Sequence, residues 1–231
     1  MWRERRKASG LAAAFVSLAV AFYLALASSP VDRQLGEVQR LFYLHVSFAW
    51  IGLVLYALQS LFGLLYLSRR SIDWDRRAAA TGSVSWLFGG LTLLTGMLFA
   101  RPTWGAAWVW DARLISTLLL FWVETGYLLL RRSLAEEERR ARLSAGLSLM
   151  GAIDLPVIFL SVRWWYSLHP QVVHLTRVEI APPMLVALLA MVGGVSLLAG
   201  ILWYLTFRVE EIERRWERTK AALRRVHERG G

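Results

Sequence analysis

The sequence predicts an all-α, polytopic membrane protein: a six-transmembrane-helix bundle, N-in and C-in, with short outer-face loops carrying a Trp-rich segment. Three observations predict it. Apolar residues make up 56% of the 231 positions and the mean hydropathy is +0.43, too apolar for a soluble domain whose surface must face water. Six stretches, at about 8–29, 42–67, 79–100, 114–130, 143–162 and 183–207, are long enough for a hydrocarbon core of about 30 Å, which takes roughly 17–25 helical residues. The 27 Lys and Arg are also unevenly placed. The N-terminus, the 68–77 and 131–142 connections and the tail from Arg208 carry four, four, five and eight, while each remaining connection carries two. Positive connections stay in the cytoplasm, so both termini are predicted inside.

The first stretch opens RRKASGLAAAFVSLAV. Its apolar run is too long for a signal-peptide core, and Ser28-Ser29-Pro30 is a poor cleavage site, so it is read as a helix. The outer connections, at about 30–41, 101–113 and 163–182, are too short to fold as separate domains. The chain therefore reads as one six-helix domain, 1–207, followed by a basic cytoplasmic tail helix, 208–231. In that tail Glu210 and Arg214, and Glu211 and Arg215, stand at i,i+4 spacing, and Val209, Ile212, Trp216, Leu223 and Val226 form an apolar stripe. Such a helix suits membrane lipid headgroups or, alternatively, a cytoplasmic partner.

The net charge of +10 raises the possibility of nucleic-acid binding, but the basic residues sit in short blocks between apolar runs, and that class is excluded. With no cysteine, the chain forms no disulfides, relays no thiol equivalents and attaches no haem through thioethers. Its chemistry must use His, carboxylates, Arg and aromatics.

Those residues gather in the connections predicted outside. The second outer loop, 101–113, contains Arg101, Trp104, Trp108, Trp110, Asp111 and Arg113. Interfacial Trp is common in membrane proteins. Trp104 and Trp108, if helical, share a face and make a shelf for a planar ligand, whose carboxylates Arg113 or Arg101 would meet by forked hydrogen bonds. Belt and platform both remain open on this pattern. Of four histidines, His45, His169 and His174 fall on the outer side and His227 in the tail. His45 lies about one turn below the outer interface, and His169 follows the Trp164-Trp165 pair. Two imidazoles beside aromatic shelves suit the two axial positions of a haem iron, although a lone membrane His is more often an interfacial hydrogen-bonding group. Zinc is disfavoured because no carboxylate or Cys stands at ligand spacing. His174 reads as a polar loop residue. Glu124 and Asp154 fall mid-helix, Asp154 two residues before Pro156, where a bend is expected. Interhelical hydrogen bonding is the favoured reading of these two acids; a proton or substrate path is the alternative.

The segment PTWGAAWVWDARL resembles the tryptophan-rich signature P-x-W-G-x-x-W-x-W-D-x-R-L of haem-handling proteins of cytochrome c biogenesis, matching at Pro102, Trp104, Gly105, Trp108, Trp110, Asp111, Arg113 and Leu114. With YLHV opening the second helix and WWYSLH in the third outer loop, the chain is similar over about 10–207 to the haem exporter protein C (CcmC) family of the cytochrome c maturation system. Ser47, Ala107 and Pro170 depart from residues frequent in that family.

The resemblance implies a multi-pass protein of the bacterial inner (plasma) membrane with no bond-making enzyme chemistry of its own. It would bind haem b transiently at the outer, periplasmic face. His45 and His169 would be the axial ligands, with Trp104, Trp108, Trp110, Asp111, Arg113, Trp164 and Trp165 as the platform. The partners implied are a periplasmic haem chaperone, ABC transporter subunits and a small membrane subunit. Two other functions are weighed against delivery: a subunit moving haem across the bilayer, and a membrane electron-transfer protein with permanent haem b. The second calls for ligands deep in the bundle, and no His falls mid-helix.

Overall fold

The computed structural model describes residues 2–165, 167–169 and 180–230. Its elements are α-helical: α1 (Trp2–Tyr23), closed by a π-helical turn at Leu24–Ser28, then α2 (Gln39–Arg69), α3 (Ile72–Trp104), α4 (Ala112–Ser133), α5 (Glu137–Ala152), α6 (Asp154–Trp164) and α7 (Pro182–Gly230). Helices α2, α3, α4 and α7 and the α5–α6 pair are long and apolar enough to cross a membrane, and Ala12–Ser28 is a shorter apolar helix. The protein is a polytopic membrane bundle. Its distribution of side chains agrees with that solvent: Phe15, Leu94 and Trp122 face outward, whereas Ser47, Gln59, Thr81, Glu124 and Ser148 are buried. In hydrocarbon, polar groups turn inward to find partners.

Most spans exceed their apolar windows because a helix continues through polar residues once its hydrogen bonds are running. Thus α3 starts seven residues before the expected position 79, with Asp73 and Asp75 in its first turn, where the helix dipole favours acids. It also continues through Pro102 to Trp104, beyond the expected boundary at 100. The stretch expected as one helix over 143–162 is two, with the break at Ile153. Pro156 lacks an N–H and its ring crowds the Ala152 carbonyl, so the new helix begins at Asp154, and the expected bend lies about one turn before the proline. The last span and the charged tail form one helix of 49 residues. At 1.5 Å per residue it is roughly 73 Å long and must project well beyond the bilayer.

The bundle is built on the α2–α3 pair, with α1 and α7 on one side and α4, α5 and α6 on the other. Tyr43, Val84, Phe88, Met191 and Val195 form the largest apolar core, where α2, α3 and α7 meet. At the end carrying the basic connections, buried Asp75 accepts two hydrogen bonds from Arg131, at 2.6 and 3.1 Å, and a third from Arg214 at 3.2 Å. Arg214, read from sequence as the partner of Glu210, is thus committed across the bundle to Asp75 and also to Glu137. Glu211 does pair with Arg215 as expected, at 2.6 Å. Val209, Ile212, Trp216 and Leu223 remain exposed along the projecting part of α7. Val226 and His227 lie among residues whose side chains are not described, and His174 and Pro170 lie outside the described residues.

Asp75 joins α3, α4 and α7 through one carboxylate, so its loss leaves the buried Arg131 guanidinium without its acceptor and takes from Arg214 one of its two. Asp75→Ala is expected to destabilise the detergent-solubilised protein by about 3–5 kcal/mol, the usual cost of breaking a buried ion pair. Asp73→Ala, which removes an exposed partner of Arg76, should leave the thermal midpoint almost unchanged. Equal midpoints for the two variants would contradict the clamp.

Candidate functional site

His45 sits in the second turn of α2, facing α3. Its Nδ1 lies 3.2 Å from the Thr92 carbonyl and 3.3 Å from Thr95 Oγ1. A proton on Nδ1 shared with that carbonyl leaves the Nε2 lone pair available, the arrangement common in metal-ligating histidines. The slot depends on Gly96, where a Cβ would stand 2.9 Å from His45 Cε1. Thr92, Thr95 and Gly96 lie at i, i+3 and i+4 on one face of α3.

The opposite wall begins where α3 ends. Gly105 adopts a left-handed backbone, φ 77°, and donates its N–H to the Arg101 carbonyl at 3.0 Å, closing the helix after Trp104. The chain then bends until Asp111 caps α4, with Oδ1 accepting the Leu114 N–H at 2.9 Å. Oδ2 of the same carboxylate accepts the Ser167 hydroxyl at 2.8 Å and lies 3.4 Å from His169 Nδ1. The Ser167 oxygen also accepts the His169 backbone N–H at 3.2 Å. Burial would raise the Asp111 carboxyl, but the Leu114 N–H, the Ser167 hydroxyl and His169 outweigh it and hold the group below its ordinary value. His169 is held below the usual imidazole value by burial first and by the Arg113 guanidinium second, with Asp111 opposing both. It is therefore neutral at pH 7, the form that ligates metals.

The two histidines line one cavity of about 400 Å³, together with Trp104, Trp108, Arg113 and, at its far end, Glu124. This is the size of a small-molecule pocket. The Trp104 ring stands edge-on to His169, centroids 5.0 Å apart. The shelf expected from Trp104 and Trp108 on one helical face is not formed, because the helix stops between them. Trp108 instead packs edge-to-face on Trp110 at 5.7 Å. Trp110, 77% exposed, stands outside the cavity wall, as do the exposed Trp164 and Trp165. Asp111 acts from behind, on His169. Of the two arginines considered for carboxylates, Arg113 lines the cavity and donates Nε–H to the Ile158 carbonyl at 3.3 Å, whereas Arg101 does not line it. Arg163, which the sequence reading left aside, does. Glu124 accepts a hydrogen bond from Gln59 Nε2 at 3.3 Å, the interhelical contact favoured from sequence.

These residues fit a planar metalloporphyrin carrying carboxylates. The Trp108 indole N–H is buried without an acceptor, two guanidinium groups lie in the wall, and the rest is largely aromatic and aliphatic. Among the described residues no three His, Cys, Asp or Glu side chains gather as a metal-ion cage. Two imidazoles alone suit a metal whose remaining ligands arrive with the guest.

The His169 environment sets a pH dependence. Between the ordinary imidazole value, about 6.5, and the lower value in the fold, the unfolded chain binds more protons than the folded one. Stability is consequently lost as pH falls through that window. In ¹⁵N-histidine spectra of the ligand-free protein, His169 should titrate below pH 6.5, Arg113→Gln should move it up and Asp111→Asn should move it down. Movement in the reverse directions would refute the assigned causes.

The family model described as "CcmC: Heme exporter protein C" matches residues 2–222. The protein named heme exporter protein C of Bradyrhizobium diazoefficiens is 36% identical over 206 residues, covering 88% of this chain and 78% of its own length. Proteins of that name from Haemophilus influenzae and Escherichia coli K12 are 32% and 31% identical, covering 84% and 85% of this chain and 80% of their own length. A match of this extent, on a bundle in which Trp104, Trp108, Arg113 and Leu114 of the signature line a two-histidine cavity, shows that the chain belongs to the haem exporter protein C family.

Proposed function

We propose that this protein holds haem as cargo at the end of the bundle predicted to face the periplasm of a bacterial inner membrane, and delivers it to a periplasmic haem chaperone during cytochrome c maturation. In this reading it works beside ABC transporter subunits and a small membrane subunit, and the haem is haem b bound transiently. The carrying observation is the convergence of His45 and His169, from elements 124 positions apart, on one aromatic-lined cavity. The names of the relatives, which speak of haem export, support the same class of cargo.

Each side chain then has a task. His45 and His169 present Nε2 to the iron. Thr92 and Asp111 hold their Nδ1 atoms, which fixes ring orientation and raises ligand basicity. Trp104 and Trp108 cover the porphyrin and exclude water. Arg113 and Arg163, with the Trp108 N–H, are the donors available to propionates. No bond of the cargo is made or broken in this scheme. Release needs only the withdrawal of one ligand, and protonating His169 at low pH does that directly.

The detergent-purified protein should show the visible spectrum of low-spin, six-coordinate haem. His45→Ala and His169→Ala should each lose that spectrum, whereas Trp122→Phe, on the lipid-facing side of α4, should keep it. Unchanged spectra in both histidine variants would end the proposal. Gly96→Ala places a methyl group against His45 and should weaken haem retention severalfold without loss of helix content, as measured by transfer to apomyoglobin and by circular dichroism.

A further inference from the structure

The cavity extends inward from the histidine pair to Tyr56 and Glu124. Glu124 lies eleven residues along α4 from Arg113, roughly 16 Å at 1.5 Å per residue, and is 2% exposed. Its surroundings are poorly matched to an ionised carboxylate. Oε2 accepts one long bond, from Gln59 Nε2 at 3.3 Å, and Oε1 has no donor. The Gln59 Oε1 and the Tyr127 hydroxyl are likewise buried without partners. The side chains of both residues pack against Gly82, where a Cβ would stand 2.8 Å from Tyr127 Cε1 and 2.9 Å from Gln59 Oε1. Glycine there lets α2 and α4 bring these polar groups together against α3.

His45, Arg113 and Arg163 line the same cavity nearer its mouth, and the ionisable groups packed around Glu124 itself offer no counter-charge. From α2, Tyr56 gives its hydroxyl proton to the Ser148 carbonyl. From α6, Asp154 is itself an acid with a buried, unpartnered oxygen. Helix α5 contributes Ser144 and Ser148, which do not titrate, and α7 contributes Glu210, another acid. On α4, Arg131 lies over the Tyr127 ring but is taken by Asp75 of α3. A carboxylate buried with one weak donor and no free cation is strongly disfavoured against its neutral acid.

We propose that Glu124, with Gln59 and Tyr127, is a proton-holding site at the floor of the cavity, neutral while the cavity is empty and releasing its proton when a positive charge is placed above it. The identity of that charge rests on the haem reading. Ferric haem carries one positive charge more than ferrous haem, so oxidation of bound haem by a one-electron acceptor removes an electron from the iron and favours the Glu124 carboxylate. The O–H bond breaks, its electron pair stays on the carboxylate, and the proton leaves along the cavity to water. By reciprocity, whatever drives the proton off also favours the ferric form. Where Glu124 is neutral under ferrous haem and ionised under ferric haem, the ferric-to-ferrous affinity ratio rises tenfold per pH unit, equivalent to 59 mV in the haem midpoint.

Two measurements on the full chain in lipid nanodiscs test this. In the haem-free protein in D₂O at neutral pH, infrared spectroscopy should show the carbonyl stretch of a protonated carboxylic acid. Glu124→Gln should remove that band, Glu124→Asp should shift it, and Asp154→Asn should leave it in place. A band indifferent to Glu124, or one that disappears on adding sodium, would overturn the site and favour an ionised or cation-bound carboxylate. In haem-loaded protein titrated with soluble redox mediators, the midpoint should fall more steeply with pH in the wild type than in Glu124→Gln, by up to one proton per electron. Parallel slopes would overturn the coupling. Wild-type protein that shows the band yet takes up no haem would sink the haem reading while the neutral carboxyl stood.

Discussion

One carboxylate couples the fold to the site. Asp111 Oδ1 caps α4 and Oδ2 holds Ser167 and His169. A helix cap of this kind contributes only about 1 kcal/mol, but its direction is strict, because the cap residue must place its oxygen on the first free N–H groups of the helix. The second oxygen is therefore aimed by α4. His169 follows the end of α6 and has no helix of its own, so its ring takes its orientation from a neighbouring span. Since Arg131, near the other end of the same helix, is clamped to Asp75, α4 is anchored at both ends and the carboxylate that orients the histidine is anchored with it.

The parts of this architecture that were legible in the sequence are those governed by local rules. Apolar windows located the spans, because nothing but a helix satisfies its backbone within one segment of hydrocarbon. Pro156 announced the break between α5 and α6, since a missing N–H and a ring clash act within a single turn. The signature residues, with His45 and His169 in their local motifs, carried the family resemblance. Local rules also explain a failure. Gly105 was counted only as a signature residue, although a glycine after Pro-Thr-Trp is a strong helix stop. Treating it as such would have separated Trp104 from Trp108 and removed the idea of a shared helical shelf.

What stayed hidden depends on contacts between distant positions. Thr92, Thr95 and Gly96 are ordinary residues for a membrane helix, and only the packing of α3 on α2 turns them into the acceptors and the space for the His45 ring. Ser167 lies outside the helices and acquires its role from a carboxylate 56 positions away. Arg214 had an acceptable partner at helical spacing in Glu210, so its long-range commitment to Asp75 gave no trace in the pattern. Arg163 was visible as a charge near an interface, but whether it lines a cavity depends on which way α6 turns after the break at Ile153.

The two imidazoles are held with unequal firmness, and this bears on how a cargo gripped by both would leave. His45 belongs to a helix of 31 residues packed along the length of α3, and moving it means disturbing the most extensive interface in the bundle. His169 is held by its neighbours Ser167 and Asp111 through contacts of 3.2–3.4 Å, long for hydrogen bonds and correspondingly weak. Helix α6, which leads into that loop, has 11 residues and is anchored to α4 in part by the Arg113–Ile158 bond. On the proposed reading, the handover therefore proceeds by loss of the His169 ligand while His45 still holds the iron, so the cargo is never free in solution between its two carriers.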